Sequence, residues 1–297
     1  MGLVHYTFCP VCGSGNLKNV FTVKDFTVSK KEFVVAGCND CTLRFTQDVP
    51  GVDSIGPYYK SENYISHTDT SKGLVNSLYK KIRNRTLRQK RKLIEGITNK
   101  KNGALLDVGS GTGAFANEMK INGWDVTGLE PDSDAINVAK ELYGLELQET
   151  DKLFNLRFGT YDAITMWHVL EHVHQLHEYI VQLKNLLTER GRLVIAVPNY
   201  TCYDEKVYKE YWAAYDVPRH LYHFSPKAME TFINKHGLKI IDYKPMWYDS
   251  FYVSLLSDKY KNGSANWVTA GWNGLISDVK ALGDVKKCSS VIYIISK

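Results

Sequence analysis

Nowhere in this chain do apolar residues run on for the roughly 20 positions that a bilayer-spanning helix needs. The opening Met1-Gly2-Leu3-Val4-His5-Tyr6 lacks the basic segment and apolar core of a secretion leader, and Tyr6 stands where a myristoylation signal requires Ser or Thr. These absences predict a cytoplasmic protein with no membrane partner. Strong net charge is also missing: the formal balance over 297 residues is +5. Residues 72–101 hold eleven Lys or Arg against one acid, Glu95, so the positive charge is a local band and not a general basic surface. No aromatic residue interleaves that band after Tyr79, which argues against a stacking platform for single-stranded nucleic acid. The band reads as the solvated face of helices whose apolar spacing comes from Leu74, Leu78, Ile82, Leu87, Ile94 and Ile97. Nucleic-acid contact is the alternative.

Cysteine is scarce beyond residue 41, where only Cys202 and Cys288 remain; the other four form two C-x2-C pairs, Cys9/Cys12 and Cys38/Cys41. Two such pairs about 25 residues apart, without a secretion signal, suit four thiolates closing on one structural zinc ion, with a reduced metal-free cluster or a disulfide pair as the alternative. Gly13 and Gly15 permit a tight turn after the first pair. Val20–Val23 and Phe33–Ala36 read as strands of a ribbon. The resulting division is a zinc-binding ribbon over 1–49, a linker with basic helices over 50–101, and a catalytic domain over 102–297.

From residue 104 strand and helix patterns alternate. Strands are predicted at 104–108, 124–129, 145–148, 161–166, 192–197, 238–243 and 290–296, with helices at 114–121, 133–144, roughly 172–187 and 226–236. Such an order predicts an α/β, doubly wound Rossmann-like sheet with parallel strands. In Asp107-Val108-Gly109-Ser110-Gly111-Thr112-Gly113, glycines mark a sharp strand-to-helix turn that lets backbone approach a ligand. With Ala114 the segment also fits G-x-G-x-x-A, so a dinucleotide-dependent dehydrogenase has to be weighed. Asp107 separates the two readings, because a carboxylate before the first glycine suits a sulfonium or ammonium and repels a pyrophosphate. Glu130, ending the next strand, is placed to accept hydrogen bonds from ribose hydroxyls in either case.

Taken with Gly128-Leu129-Glu130-Pro131, Tyr161-Asp162-Ala163-Ile164, His168-Val169-Leu170-Glu171-His172-Val173 and Gly191–Asn199, this segment resembles class I S-adenosylmethionine-dependent methyltransferases over roughly residues 104–244. The resemblance implies that Gly109, Ser110, Gly111 and Gly113 wall the methionine part of S-adenosyl-L-methionine and Glu130 holds its ribose. Thr150 or Asp151 would meet adenine, with Trp167 against the cofactor. Histidine is the expected base near neutral pH, and His168 and His220 follow strand ends where ligands bind in open α/β sheets. Arg219 suits an anionic group of the acceptor or a pairing with Asp216. His172, His174 and His177 read as a helix surface or cap. His168, Glu171 and His172 suit a divalent metal, as similarly placed acidic residues do in some ubiquinone-pathway O-methyltransferases, or they simply orient a helix. The zinc module followed by His220-Leu221-Tyr222-His223-Phe224-Ser225 is similar in layout to deoxysugar C-methyltransferases, which implies His220 as base, although Arg219 stands where that group has an acid. The expected partner is a small-molecule acceptor methylated on oxygen or carbon. An RNA methyltransferase and a non-catalytic zinc-ribbon scaffold are the alternatives.

Overall fold

The computed structural model describes residues 2–60 and 74–297, with the backbone alone over 74–80. The N-terminal segment forms β1 (Leu3–Val4), β2 (Leu17–Lys24), β3 (Glu32–Cys38), β4 (Arg44–Thr46) and β5 (Val49–Pro50). β2 and β3 pair antiparallel from Leu17↔Cys38 to Lys24↔Glu32, so the ladder carries both predicted strands beyond their apolar centres. A 3-10 turn at Gly56–Tyr59 lies in the predicted loop over 50–70, whose part from 61 falls outside the described residues. Most of the basic band lies on one helix, α1 (Leu74–Thr98), with Lys100 and Lys101 beyond it; Lys72 falls outside the described residues, and Leu74, Leu78 and Tyr79 fall where side chains are not described. Ile94 is fully buried, whereas Lys81, Arg85, Arg88 and Lys92, spaced by helical turns, are exposed.

The alternation beyond residue 104 becomes β6 (Ala104–Val108), α2 (Ala114–Ile121), β7 (Asp125–Leu129), α3 (Ser133–Tyr143) and β8 (Tyr161–Trp167). α3 is closed by its Asp132 cap, which accepts from the Asp134 amide, and by Gly144 in the left-handed region. The strand expected at 145–148 is only an isolated bridge between Leu129 and Gln148. Leu145 and Leu147 bury against Ala116 and Ala139, which accounts for the alternation without a ladder. The helix expected from about 172 begins later, as α4 (Leu176–Leu186), because residues 170–172 close a 3-10 turn first. β9 (Leu187–Pro198) absorbs the predicted turn at 189–191. A side chain at Gly191 would meet the Tyr161 carbonyl at 2.9 Å, so that position needs glycine for close approach.

The rest of the chain forms α5 (Tyr203–Tyr208), β10 (Tyr222–His223), α6 (Pro226–Lys235), β11 (Lys239–Pro245), α7 (Asp249–Asn262), α8 (Trp267–Gly283) and β12 (Ser290–Ser296). The central sheet has the order β11-β12-β9-β8-β6-β7 and is mixed, with β6 parallel to both β7 and β8. A wholly parallel sheet was expected from the helix–strand alternation. The alternation fails after β11, where α7 and α8 intervene as a helical hairpin before β12. No helix among the described residues is long and apolar enough to cross a membrane.

Two compact units interleave along the sequence: among the described residues one takes 2–60, 170–175 and 196–293, and the other 74–169, 176–195 and 294–297. The first has its own aromatic core, in which Val23, Phe33 and Val35 of the ribbon pack with Tyr208, Trp212, Tyr215 and Val217.

Candidate functional site

In the first unit, the four ribbon cysteines converge. Sγ of Cys9 lies 3.4 Å from Sγ of Cys41, and Sγ of Cys12 lies 3.6 Å from Sγ of Cys38. A tetrahedron with Zn–S bonds of about 2.3 Å has edges of about 3.8 Å, whereas a disulfide brings sulfurs to about 2.05 Å. All four cysteines are free thiols, so the donor set fits one zinc ion. Two backbone turns shape the cradle: the Gly13 amide donates to the Cys9 carbonyl, with Gly13 at φ +81°, and the Thr42 amide donates to the Cys38 carbonyl. Gly15 has no left-handed φ and meets only Phe8.

The ribbon also holds the histidine segment. β10 joins its sheet as the strand beside β4, with Tyr222 opposite Phe45 and His223 opposite Arg44. The Thr46 amide donates to the Leu221 carbonyl, and Thr46 Oγ1 donates to the His220 carbonyl at 2.7 Å. His220 is thereby fixed at its backbone. Its Nδ1 donates to the Ala214 carbonyl at 2.8 Å, the acceptor dictating a proton on that nitrogen, so that Nε2 is the acceptor atom of the neutral ring. Nε2 stands 4.0 Å from Asp216 Oδ2, beyond hydrogen-bond reach.

Arg219 is almost wholly buried, and all three nitrogens of its guanidinium donate hydrogen bonds. Nε donates to Asp216 Oδ2 at 2.9 Å, Nη2 reaches Asp216 Oδ1, and Nη1 donates to the Tyr58 carbonyl at 2.9 Å. Asp25 Oδ1 adds a second carboxylate at 3.5 Å. Burial works against ionisation of Asp216, but the guanidinium outweighs it and holds that carboxyl below its ordinary value. Of the two roles weighed for Arg219, this geometry is the internal pairing.

The ligand atoms of Glu171, His172 and His220 lie within 4.8 Å of one another. The rings of His172 and His220 meet edge to face at 4.6 Å. His172 Nδ1 donates to the Arg219 carbonyl at 3.0 Å, with the Tyr59 hydroxyl at 3.1 Å. Burial, and then the neighbouring His220, push the pKa of His172 down to about 4, so it is neutral at physiological pH. The trio that meets includes His220 in the place expected for His168. His174 is tied by Nε2 to the Pro50 carbonyl at 3.0 Å.

In the second unit, the glycine loop turns from β6 into α2. The Gly109 and Ser110 amides both donate to the Leu129 carbonyl. Gly109 (φ +72°) and Gly113 (φ +76°) are also sterically obligatory, since a Cβ would meet Val169 at 2.3 Å and Ala139 at 2.9 Å. Gly111 (φ +53°) differs, because its Cβ position faces open space. That is the place in the loop where a ligand can approach bare backbone. Glu130 anchors the turn: Oε2 accepts from the Gly111 amide at 2.7 Å and Oε1 from the Asp132 amide at 3.1 Å. Burial pushes its pKa up.

Asp107 is almost wholly buried at the end of β6 and accepts from Thr165 Oγ1 at 2.7 Å. Thr150 and Asp151 open a 3-10 turn over Thr150–Asn155, with Asp151 exposed. Trp167 ends β8 and packs edge to face on Phe115. His168 follows with φ +58°, a conformation that costs a non-glycine residue energy and clusters at functional turns.

A family model for the methyltransferase domain matches residues 79–243, which is more than half of the chain. This chain belongs to the methyltransferase domain family. It is 28% identical over 120 residues to an uncharacterized methyltransferase of Alkaliphilus oremlandii, covering 39% of this chain and 54% of that one. It is 32% identical over 112 residues to a ubiquinone biosynthesis O-methyltransferase of Photobacterium profundum, covering 35% and 46%. The chain thus spans about half the length of the curated relatives it matches. Its fold is that of magnesium protoporphyrin IX methyltransferase from Synechocystis PCC 6803, solved with bound SAH, at a TM-score of 0.50 and 14% identity over 81% of this chain and 97% of that one.

In this methyltransferase-family domain, the donor set of the second unit fits S-adenosylmethionine: two buried acids, an open glycine at Gly111, and no positive charge on the loop to meet a pyrophosphate. One contributor escaped the sequence reading. Lys90 of α1 lies with Nζ 4.1 Å from the Trp167 ring centroid, and its charge opposes the burial that raises the pKa of Asp107. In sequence it is one cation among eleven. Asp25, Thr46 and Tyr59 were missed for a related reason: their partners Arg219, His220 and His172 lie far along the chain.

Proposed function

We propose that this protein is a methyltransferase that moves a methyl group from S-adenosylmethionine to an oxygen or carbon of a small polar metabolite, such as a nucleotide sugar or glycan precursor. The observation that carries the cofactor half is the Glu130 carboxylate bonded to the Gly111 amide, beside the one loop glycine whose side-chain position is open. Gly109, Ser110, Gly111 and Gly113 wall the methionine portion, Glu130 takes the ribose, and Asp107 lies nearest the positive end. Thr150, Asp151 and Trp167 border the adenosine. When bound, S-adenosylmethionine supplies an electrophilic methyl carbon whose bond to sulfur breaks as the acceptor attacks.

His220 is the proposed base. Its Nδ1–H is held by the Ala214 carbonyl, so Nε2 takes the proton that the acceptor's hydroxyl or carbon acid gives up as the new bond to methyl forms. Arg219 positions this segment by clamping Asp216, and His168 is a second candidate for proton transfer. Zinc, held by Cys9, Cys12, Cys38 and Cys41, shapes the ribbon and takes no part in the chemistry.

The test is calorimetric titration with S-adenosylhomocysteine and NADH, followed by transfer of labelled methyl from S-adenosylmethionine to a panel of nucleotide sugars. Micromolar binding of S-adenosylhomocysteine alone is expected. Glu130→Ala and Gly111→Val should each weaken it at least about 100-fold, at unchanged zinc content. His220→Asn should keep that affinity within about 2-fold and lower turnover by about 10² or more; normal turnover would remove the base assignment. Failure of the folded protein to bind would favour the scaffold reading. An RNA acceptor is a second reading, favoured by the exposed Lys81, Arg85, Arg88 and Lys92, and the same assay with RNA decides it.

A further inference from the structure

α8 is built inside out. Its buried residues are small or polar: Ala270, Asn273, Gly274, Ser277 and Ala281. They are satisfied within their own unit, Asn273 Nδ2 donating to the Tyr208 hydroxyl at 3.0 Å and Ser277 Oγ to Asp204 Oδ1 at 2.7 Å. Gly274 allows α7 to pack closely, since a Cβ there would meet Phe251 at 2.9 Å. The large apolar residues face the other way. Trp267, Val268, Trp272, Leu275, Val279 and Leu282 are between 47% and 82% exposed.

From Val268 the positions advance by four, three, four and three residues, which keeps them on one stripe along a helix of 17 residues. That helix is about 25 Å long. A face of this size and composition on a protein surface marks an interaction site.

The charges around the hairpin state what covers it. The exposed charged residues of the hairpin and of the turn after it are Lys259, Lys261, Lys280 and Lys287, of which Lys280 lies over the Tyr203 ring. The acids of the same hairpin are engaged: Asp249 by Ser290, Asp258 by Asn262 and the Asn266 amide, Asp278 by Ser250, and Asp284 by the Lys286 amide and by Lys287, which leaves Lys259 and Lys261 as the exposed cations at the hairpin turn. A second copy of the same hairpin would offer these lysines no exposed carboxylate. Asp278, which would flank a helix–helix seam, is turned to Ser250, and Gly271 and Gly283 supply no interhelical ion pair of the kind that zippers use. A negatively charged lipid surface meets both features, because tryptophans favour the headgroup boundary and lysines favour anionic headgroups.

We propose that α8 lies in the plane of an anionic bilayer surface, with its tryptophan-bearing stripe in the headgroup–acyl boundary and the hairpin lysines against the headgroups. This departs from the expectation of no membrane contact, which rested on absent spans. A surface helix needs a one-sided apolar face and no spanning length.

The experiment is flotation of the full chain with vesicles of three parts phosphatidylcholine to one part phosphatidylglycerol, against phosphatidylcholine alone, with tryptophan emission recorded. Expected are co-flotation with a blue shift on anionic vesicles, at least a tenfold loss on neutral vesicles, and a similar loss for W272S/L275S. S-adenosylhomocysteine affinity in that variant shows that it is folded, and it also separates this proposal from the fate of the cofactor reading. No flotation on anionic vesicles would overturn the proposal, as would undiminished flotation of W272S/L275S. A lipid-free dimer in sedimentation that this variant abolishes would assign the stripe to a second copy and overturn it too.

Discussion

Asp107 carries a carboxyl into the interior at the end of β6, where burial raises its pKa from 3.8 to about 6 against the Thr165 hydrogen bond and the charge of Lys90. A folded-state pKa above the unfolded value means that the native state holds its proton longer. Stability from this group is therefore lost as pH rises from about 4 through about 6, amounting to roughly 3 kcal/mol. In cofactor-free protein, Asp107→Asn should gain on the wild type over that interval in melting temperature, and then hold its advantage at pH 7–8. A difference that does not vary with pH would contradict the assignment. Arg219 makes the opposite case. Arg219→Met leaves Asp216 and Asp25 without their cation and should cost about 3–5 kcal/mol in urea unfolding, the usual penalty for one orphaned partner of a buried pair. Arg219→Lys keeps the charge but not the fork geometry, so its loss should be smaller.

Elements decide how these residues are presented. β4 reads as part of the zinc ribbon, yet one of its edges carries β10, so the ribbon sheet sets the register of residues 220–223. The cysteine knuckle at 38–42 leads directly into β4. Removing zinc with a strong chelator, or making Cys38→Ser, should therefore lower methyl transfer at least tenfold while S-adenosylhomocysteine affinity stays within about 2-fold. Loss of both together would mean that the ribbon supports the whole chain. Thr46→Val is the gentler version. It removes the hydroxyl that donates to the His220 carbonyl and should cost about 1–2 kcal/mol.

At the scale of the molecule, the glycine turn and the histidine segment belong to different compact units, each assembled from separated stretches of chain. Ligand binding is then expected to act locally. S-adenosylhomocysteine at 100 times its dissociation constant should stabilise by about 2.7 kcal/mol. In hydrogen exchange it should protect residues 107–113 and 128–132, whereas zinc removal should raise exchange in 9–46 and 220–225. Uniform protection of the entire chain by either ligand would argue against this separation.

The glycine turn with its flanking acids, the two cysteine pairs, and most strands and helices from 104 onward were legible in the sequence. Each depends on neighbours within a few residues: a strand's alternation, a cap such as Asp132, a glycine at positive φ. The mixed sheet, the missing strand at 145–148, the joining of β10 to the ribbon, and the trio of Glu171, His172 and His220 were not legible. They depend on pairings across tens to hundreds of residues, where local pattern is silent and burial decides. The same holds for α8, whose sequence shows an apolar stripe. Only packing against α7 reveals that the stripe faces outward, because the close approach at Gly274 places the small residues inside.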